Sequence, residues 1–204
     1  MTERRPAIAR SAVATGKGDD GTTGLLYGGR IAKDDPRTEA YGSVDEAVAA
    51  LGVARVELST ADLTDLAELC LRLQRELFVV GAELAASPDA LDRLQDGVTR
   101  VSEPMLEALE AELAAWEAKV EMPREFVVPG ETRASAALEL ARTVLRRAER
   151  RVISLGRVTE AASGWTVPYL NRLADLVWVL ARAAEQAESR SATPARSQAR
   201  APRR

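Results

Sequence analysis

The sequence predicts an all-α fold, a five-helix up-and-down bundle preceded by a long N-terminal loop arm. Three observations carry this. The chain is rich in Ala, Leu, Glu and Arg and only 4% aromatic, a balance that favours helix over sheet. Apolar residues recur in alternating steps of three and four, the period of a helix with one buried face. Strand patterns are almost absent: Phe126-Val127-Val128 is short, stops at Pro129-Gly130, and reads as an extended linker. At 204 residues the chain is long enough to bury a real core as one domain.

The first helix is predicted from Arg37 to Leu58, started by Asp34-Asp35-Pro36. The second, Ala61 to Ala86, carries Leu63, Leu66, Cys70, Leu73, Leu77, Val80 and Leu84 as a continuous seam. The third, Glu103 to Val120, repeats that spacing with Leu106, Leu109, Leu113, Trp116 and Val120. In the fourth, Thr132 to Leu155, an apolar stripe of Leu138, Ala141, Val144, Leu145, Ala148, Val152 and Leu155 runs beside a cluster of arginines. The fifth, Val167 to Glu188, turns Leu170, Leu173, Leu176, Val177 and Leu180 inward. Residues 1–14 show no period and are expected to be disordered. Residues 189–204, with five arginines and no acidic residue, read as a disordered basic tail. The bundle domain is expected to span 15–188.

Composition excludes several chemistries. The chain has no histidine, which removes the Ser-His-Asp triad and every histidine-based zinc site. A net charge of −3 argues against nucleic acid as a partner. The single cysteine, Cys70, suits a reducing compartment and reads as a small buried hydrophobe. No stretch approaches a signal peptide or a membrane span, so the expected location is cytoplasmic.

Two segments carry chemical content. Residues 142–151 hold five arginines in ten positions. On a helical wheel Arg142, Arg146 and Arg150 share a strip beside the apolar stripe, with Glu149 between them, and Arg147 and Arg151 flank its other side. Guanidinium groups keep their charge, so such a strip calls for anions. In the arm, Thr15-Gly-Lys-Gly-Asp-Asp-Gly-Thr-Thr-Gly24 can offer backbone N–H groups, hydroxyls and Lys17 to phosphate oxygens. It is no Walker A loop, and by itself it reads equally as a flexible loop. Asp45 and Glu46 read as solvated or as members of a site, and Asn171 as a local bridge or a ligand contact.

Taken together and in order, these segments resemble the PduO-type ATP:corrinoid (cob(I)alamin) adenosyltransferases. The resemblance rests on TGKGDDGTTGLLYGGRIAKDDPRTEAYGSVDEAVAALG, LQRELFVVGAELA, FVVPGETRASAALELARTVLRRAERR and YLNRLADLVWVLAR. It implies a five-helix homotrimer with ATP held between the arm of one subunit and the arginine helix of the next. It further implies that Co(I) attacks the 5′ carbon of ATP and expels triphosphate. Thr15, Gly16, Lys17, Gly18, Asp19, Gly21, Thr23 and Lys33 would then contact ATP. Arg142 would pair with Asp45, Arg146 would hold the polyphosphate with Arg147 and Glu149 in support, and Asn171 would touch the nucleotide. Phe126 would occupy the lower face of the corrin ring. Mg2+ is expected with ATP, and a reductase or a B12-dependent enzyme as a further partner.

The chain departs from the family pattern at Val48, Val79, Glu131, Glu139 and Gln186. Glu139 stands where the family has histidine, on the same strip as Arg142 and Arg146, where its carboxylate would lower the potential offered to triphosphate. The alternative reading is therefore a non-catalytic paralogue that binds ATP or a corrinoid as a carrier or regulator.

Overall fold

A computed structural model describes residues 11, 13–159 and 162–196. It contains five α-helices: α1 Pro36–Thr60, α2 Thr64–Ala85, α3 Glu103–Glu117, α4 Arg133–Gly156 and α5 Thr166–Ala187. The predicted helices are all present, with ends displaced by a few residues. A short 3-10 turn, Pro88–Arg93, lies between α2 and α3.

Cross-helix contacts set the directions. Along α1, Glu39, Glu46 and Glu57 meet Arg151, Arg147 and Arg133 of α4, so partner numbers fall as residue numbers rise and the two helices are antiparallel. Arg37 reaches the carbonyls of Leu84 and Ala86, and Val48 accepts from Gln74, which sets α2 antiparallel to α1. Glu76 with Tyr169 and Glu83 with Thr166 place α5 antiparallel to α2. Glu149 with Asn171 and Glu139 with Arg182 do the same for α4 and α5. These four helices close a ring, and α3 lies outside it, parallel to α5 through Glu110–Arg172 and Glu121–Gln186. The chain thus alternates up and down at every step.

The seams are where the spacing put them. Leu66, Cys70, Leu73, Leu77, Val80 and Leu84 of α2 are buried, as are Leu138, Ala141, Leu145, Ala148, Val152 and Leu155 of α4. Each fully buried leucine contributes about 1.5–3 kcal/mol. On α1 the buried face is mostly small, with Ala40, Ala47 and Ala54 between Val44, Leu51 and Leu58, which lets α2 and α4 approach closely. Asp35 caps α1 by accepting from the Arg37 N–H at 2.8 Å, and Thr132 with Ser135 forms a capping box on α4.

Two short two-stranded sheets accompany the helices. The arm contains an antiparallel hairpin, β1 Thr22–Gly24 with β2 Arg30–Ala32. The linker and the tail pair as β3 Val127–Val128 with β4 Thr193–Pro194. Residues 189–196, expected to be loose, therefore include a strand laid against the linker. A basic, proline-containing segment gives no periodic signal for a two-residue pairing made across the whole fold. The expectations for residues 1–10, 12 and 197–204 lie outside the described residues.

Candidate functional site

The arm folds back on itself at the end of the bundle that holds the start of α1 and the end of α2. The Leu26 N–H donates to the Ala85 carbonyl at 2.8 Å, and its own carbonyl accepts from Ser87 at 2.9 Å. Arg37, buried, donates to the Leu84 and Ala86 carbonyls at 3.0 and 3.1 Å, occupying acceptors that the end of α2 leaves open. Burial holds the Arg37 guanidinium below its ordinary pKa, and nearby Asp35 partly offsets this.

Within the arm, Gly21 has φ +79, and its carbonyl accepts from the Lys33 N–H at 2.9 Å. The Lys33 ammonium lies over Gly18 so closely that a Cβ there would meet Nζ at 2.8 Å and the Thr22 carbonyl at 3.3 Å. Thr15, Gly16, Lys17, Gly18, Asp19, Gly21 and Thr23 thus form one compact turn with Lys33 folded onto it. Two residues absent from the sequence reading hold this turn. Arg30 donates to Thr22 Oγ1 from both Nε and Nη2, at 2.9 and 2.6 Å, and to the Lys17 carbonyl at 2.5 Å. Asp20 accepts from the Thr22 N–H and hydroxyl at 3.0 and 2.7 Å. The signal that could have found them is the charge pair bracketing the hairpin.

On α4 the arginines divide into paired and bare. Arg147 is bound to Glu46 and Arg151 to Glu39, the latter at 3.0 Å, so both tie α4 to α1. Arg142 was expected to pair with Asp45; within the chain its Nε donates instead to Glu139 at 2.7 Å, one helical turn away. Asp45 is exposed on α1 and has no ion pair among the described residues, nor do Arg146 and Arg150. Asn171 bridges locally, donating to Glu149 at 3.2 Å and accepting from Arg172 at 2.8 Å. Because α1 and α4 are antiparallel, Arg146 and Arg150 lie toward the bundle end where the arm sits. Among the described residues no hydrogen bond or ion pair joins the arm to α4.

Toward the other end lies a cavity of about 900 Å3 lined by the linker residues 123–127 and Pro129, by Glu139, Arg142 and Trp178, and by Ala195 and Arg196. Phe126 stands in it 90% exposed. A smaller apolar groove of about 390 Å3 runs between α1 and α2 past Asp45, Val48 and Phe78. Glu139 does not face solvent beside Arg146: it is 3% exposed, and its second oxygen takes Arg182 at 3.1 Å. The carboxylate on the arginine strip is therefore turned inward and matched by two guanidiniums. No group of three or more carboxylates or cysteines able to hold a metal ion occurs among the described residues.

Fold and site together define a class: an up-and-down helical bundle with a glycine-rich arm and bare arginines toward the same end. A family model described as "Cobalamin adenosyltransferase" matches residues 13–184, and the chain belongs to that family. A corrinoid adenosyltransferase from Citrobacter freundii is 43% identical over 173 residues, 85% of this chain and 94% of its own. One from Bacillus subtilis is 37% identical over 169 residues, covering 82% of this chain and 83% of its own. Among solved structures, a variant PduO-type ATP:corrinoid adenosyltransferase from Lactobacillus reuteri, complexed with cobalamin and ATP, superposes with a TM-score of 0.80 at 30% identity. The match covers 90% of this chain and 98% of that one.

Proposed function

We propose that this chain transfers the 5′-deoxyadenosyl group of ATP to the cobalt of a reduced corrinoid. A cobalt–carbon bond forms with the electron pair of Co(I), the bond from C5′ to oxygen breaks, and triphosphate leaves. The corrinoid is the nucleophile, so no general base is needed, and a chain without histidine is suited to the reaction. Its relatives are named as corrinoid adenosyltransferases, and the related Lactobacillus reuteri structure holds both cobalamin and ATP.

The observation that carries the site assignment is Arg146, a guanidinium beside a buried seam with no carboxylate partner among the described residues. It binds the triphosphate and stabilises the charge that builds on it as C5′–O breaks. The turn of Thr15 to Thr23, with Lys17 and Lys33, grips the same polyphosphate through N–H groups, hydroxyls and two ammoniums. Arg147 and Glu149 support it, Asn171 touches the nucleotide, Arg142 pairs with Asp45 of a second copy, and Phe126 lies under the corrin ring. Mg2+ would be carried by the substrate phosphates, as it commonly is. Asp45, exposed and without an ion pair among the described residues, would complete the site from a second copy in a homotrimer. No helix among the described residues is long and apolar enough to cross a membrane; the proposed location is the cytoplasm, beside a reductase or a B12-dependent enzyme. The carrier or regulator reading loses its main motive, because Glu139 is neutralised by Arg142 and Arg182.

The test is spectrophotometric. Cob(I)alamin held reduced under anaerobic conditions with MgATP is expected to convert to adenosylcobalamin with equimolar triphosphate. Folded protein that binds ATP yet gives no product would overturn the assignment.

A further inference from the structure

Arg182 is the largest fully buried side chain, 1% exposed on α5. It lies between two carboxylates: its Nη2 donates to Glu185 Oε1 at 2.8 Å and is ion-paired with Glu139 at 3.1 Å, and its Nε lies 2.8 Å from the other Glu185 oxygen. Its Nε and Nη1 have no hydrogen-bond partner, and neither has Glu185 Oε2. The Trp178 ring covers it at 5.5 Å. Arg142, Glu139, Arg182 and Glu185 form a chain of alternating charge that sums to zero. Such a buried chain is a poor way to stabilise a protein, because desolvation offsets the attraction and an apolar replacement of equal volume commonly does as well. A buried charge network that reaches the wall of a cavity points to a positional task rather than to stability.

Glu139 shows what is positioned. One oxygen holds Arg142 by Nε and the other is anchored to Arg182. The anchor is buried, since Arg182 is 1% exposed. Held by Nε, Arg142 keeps both terminal nitrogens for another acceptor, and it lines the same cavity as Pro123, Phe126, Pro129 and Trp178. Aromatic and proline surface with one fixed guanidinium donor suits a flat macrocycle that carries carbonyl groups at its rim.

We propose that Glu139 is a positioning residue for corrinoid binding: ion-paired to buried Arg182, it fixes the Arg142 guanidinium so that a terminal nitrogen not taken by Asp45 of a second copy meets an acceptor group on the corrinoid rim. This rests on the adenosyl-transfer reading above. Glu139→Gln keeps the shape and removes the charge. The corrinoid KM is expected to rise on the order of tenfold, the scale of a hydrogen bond to a charged group. The ATP KM stays near wild type, while the urea midpoint falls because Glu139 no longer balances buried Arg182.

If Glu139 acts through Arg142, adding Glu139→Gln to Arg142→Met changes little further. Glu57→Gln, which breaks a surface pair with Arg133, is the control that leaves both KM values in place. Three results would overturn the role: an unchanged corrinoid KM in an active variant, additive effects in the double variant, or equal losses for ATP and corrinoid. If the wild type proves inactive, the transfer reading fails separately. Calorimetric titration of cob(II)alamin in the presence of ATP then decides: weaker binding to Glu139→Gln upholds the role, and equal binding overturns it.

Discussion

Arg182 and Arg146 belong to the same bundle and live under opposite rules. Arg182 is sealed in the interior with Glu139 and Glu185 against it; Arg146 is exposed on α4 and has no carboxylate partner among the described residues. A guanidinium that folding must bury needs counter-charges from the chain itself, because no other anion reaches it. A guanidinium left bare beside a packed seam costs the fold little and is available to an anion that arrives later. The difference separates charges that hold the structure from charges that wait for a ligand.

The comparison breaks most sharply at Arg182. Arg182→Met leaves Glu139 and Glu185 buried without their shared cation, and the expected loss of stability is about 3–5 kcal/mol, read from urea unfolding. A loss under about 1 kcal/mol, the range of an exposed pair, would mean that the interior pair is no different from a surface one. Arg146→Ala should do the reverse. Turnover should fall on the order of a hundredfold or more, as when a donor to developing negative charge is removed, while the urea midpoint stays put. Matching declines in activity and stability would erase the distinction.

A smaller effect extends the contrast to a buried group that can stay neutral. Burial pushes the Cys70 thiol up from 9.0 to about 12, with Arg55 opposing weakly. Between those values the unfolded chain loses the proton and the folded chain keeps it. Stability from this group is therefore present below pH 9 and falls as pH rises toward 12, with a slope of up to about 1.4 kcal/mol per unit. Cys70→Ala should flatten that part of an alkaline stability profile; an unchanged slope would show that the thiol ionises freely in the fold.

The legible parts of this molecule are those written in local spacing. The seam from Leu66 to Leu84 and the stripe from Leu138 to Leu155 announce their helices because every third or fourth residue must leave water. The arginine strip was equally visible. Partner choice was not. Arg147 meets Glu46 across about a hundred residues, a partner that the spacing along α4 does not announce.

Glu83 carries no signal of its own in the sequence. It is 1% exposed and accepts from the Val101 N–H at 2.7 Å, from the Ser163 N–H and from the Thr166 hydroxyl, clasping two loops and the start of α5. Nothing in its neighbours along the chain foretells donors from loops that distant.

What the sequence alone determined is the number of helices, their buried faces, the family resemblance and the stock of charges on α4. Periodicity and composition act over one or two turns, and a reader can follow them without coordinates. Only the tertiary structure decided which of those charges are neutralised, that Arg30 and Asp20 shape the arm, and that the tail lies against the linker by the Phe126 cavity. Those outcomes depend on which donor meets which acceptor when segments far apart in the chain are packed together, and hydrogen bonds and ion pairs act only at contact distance.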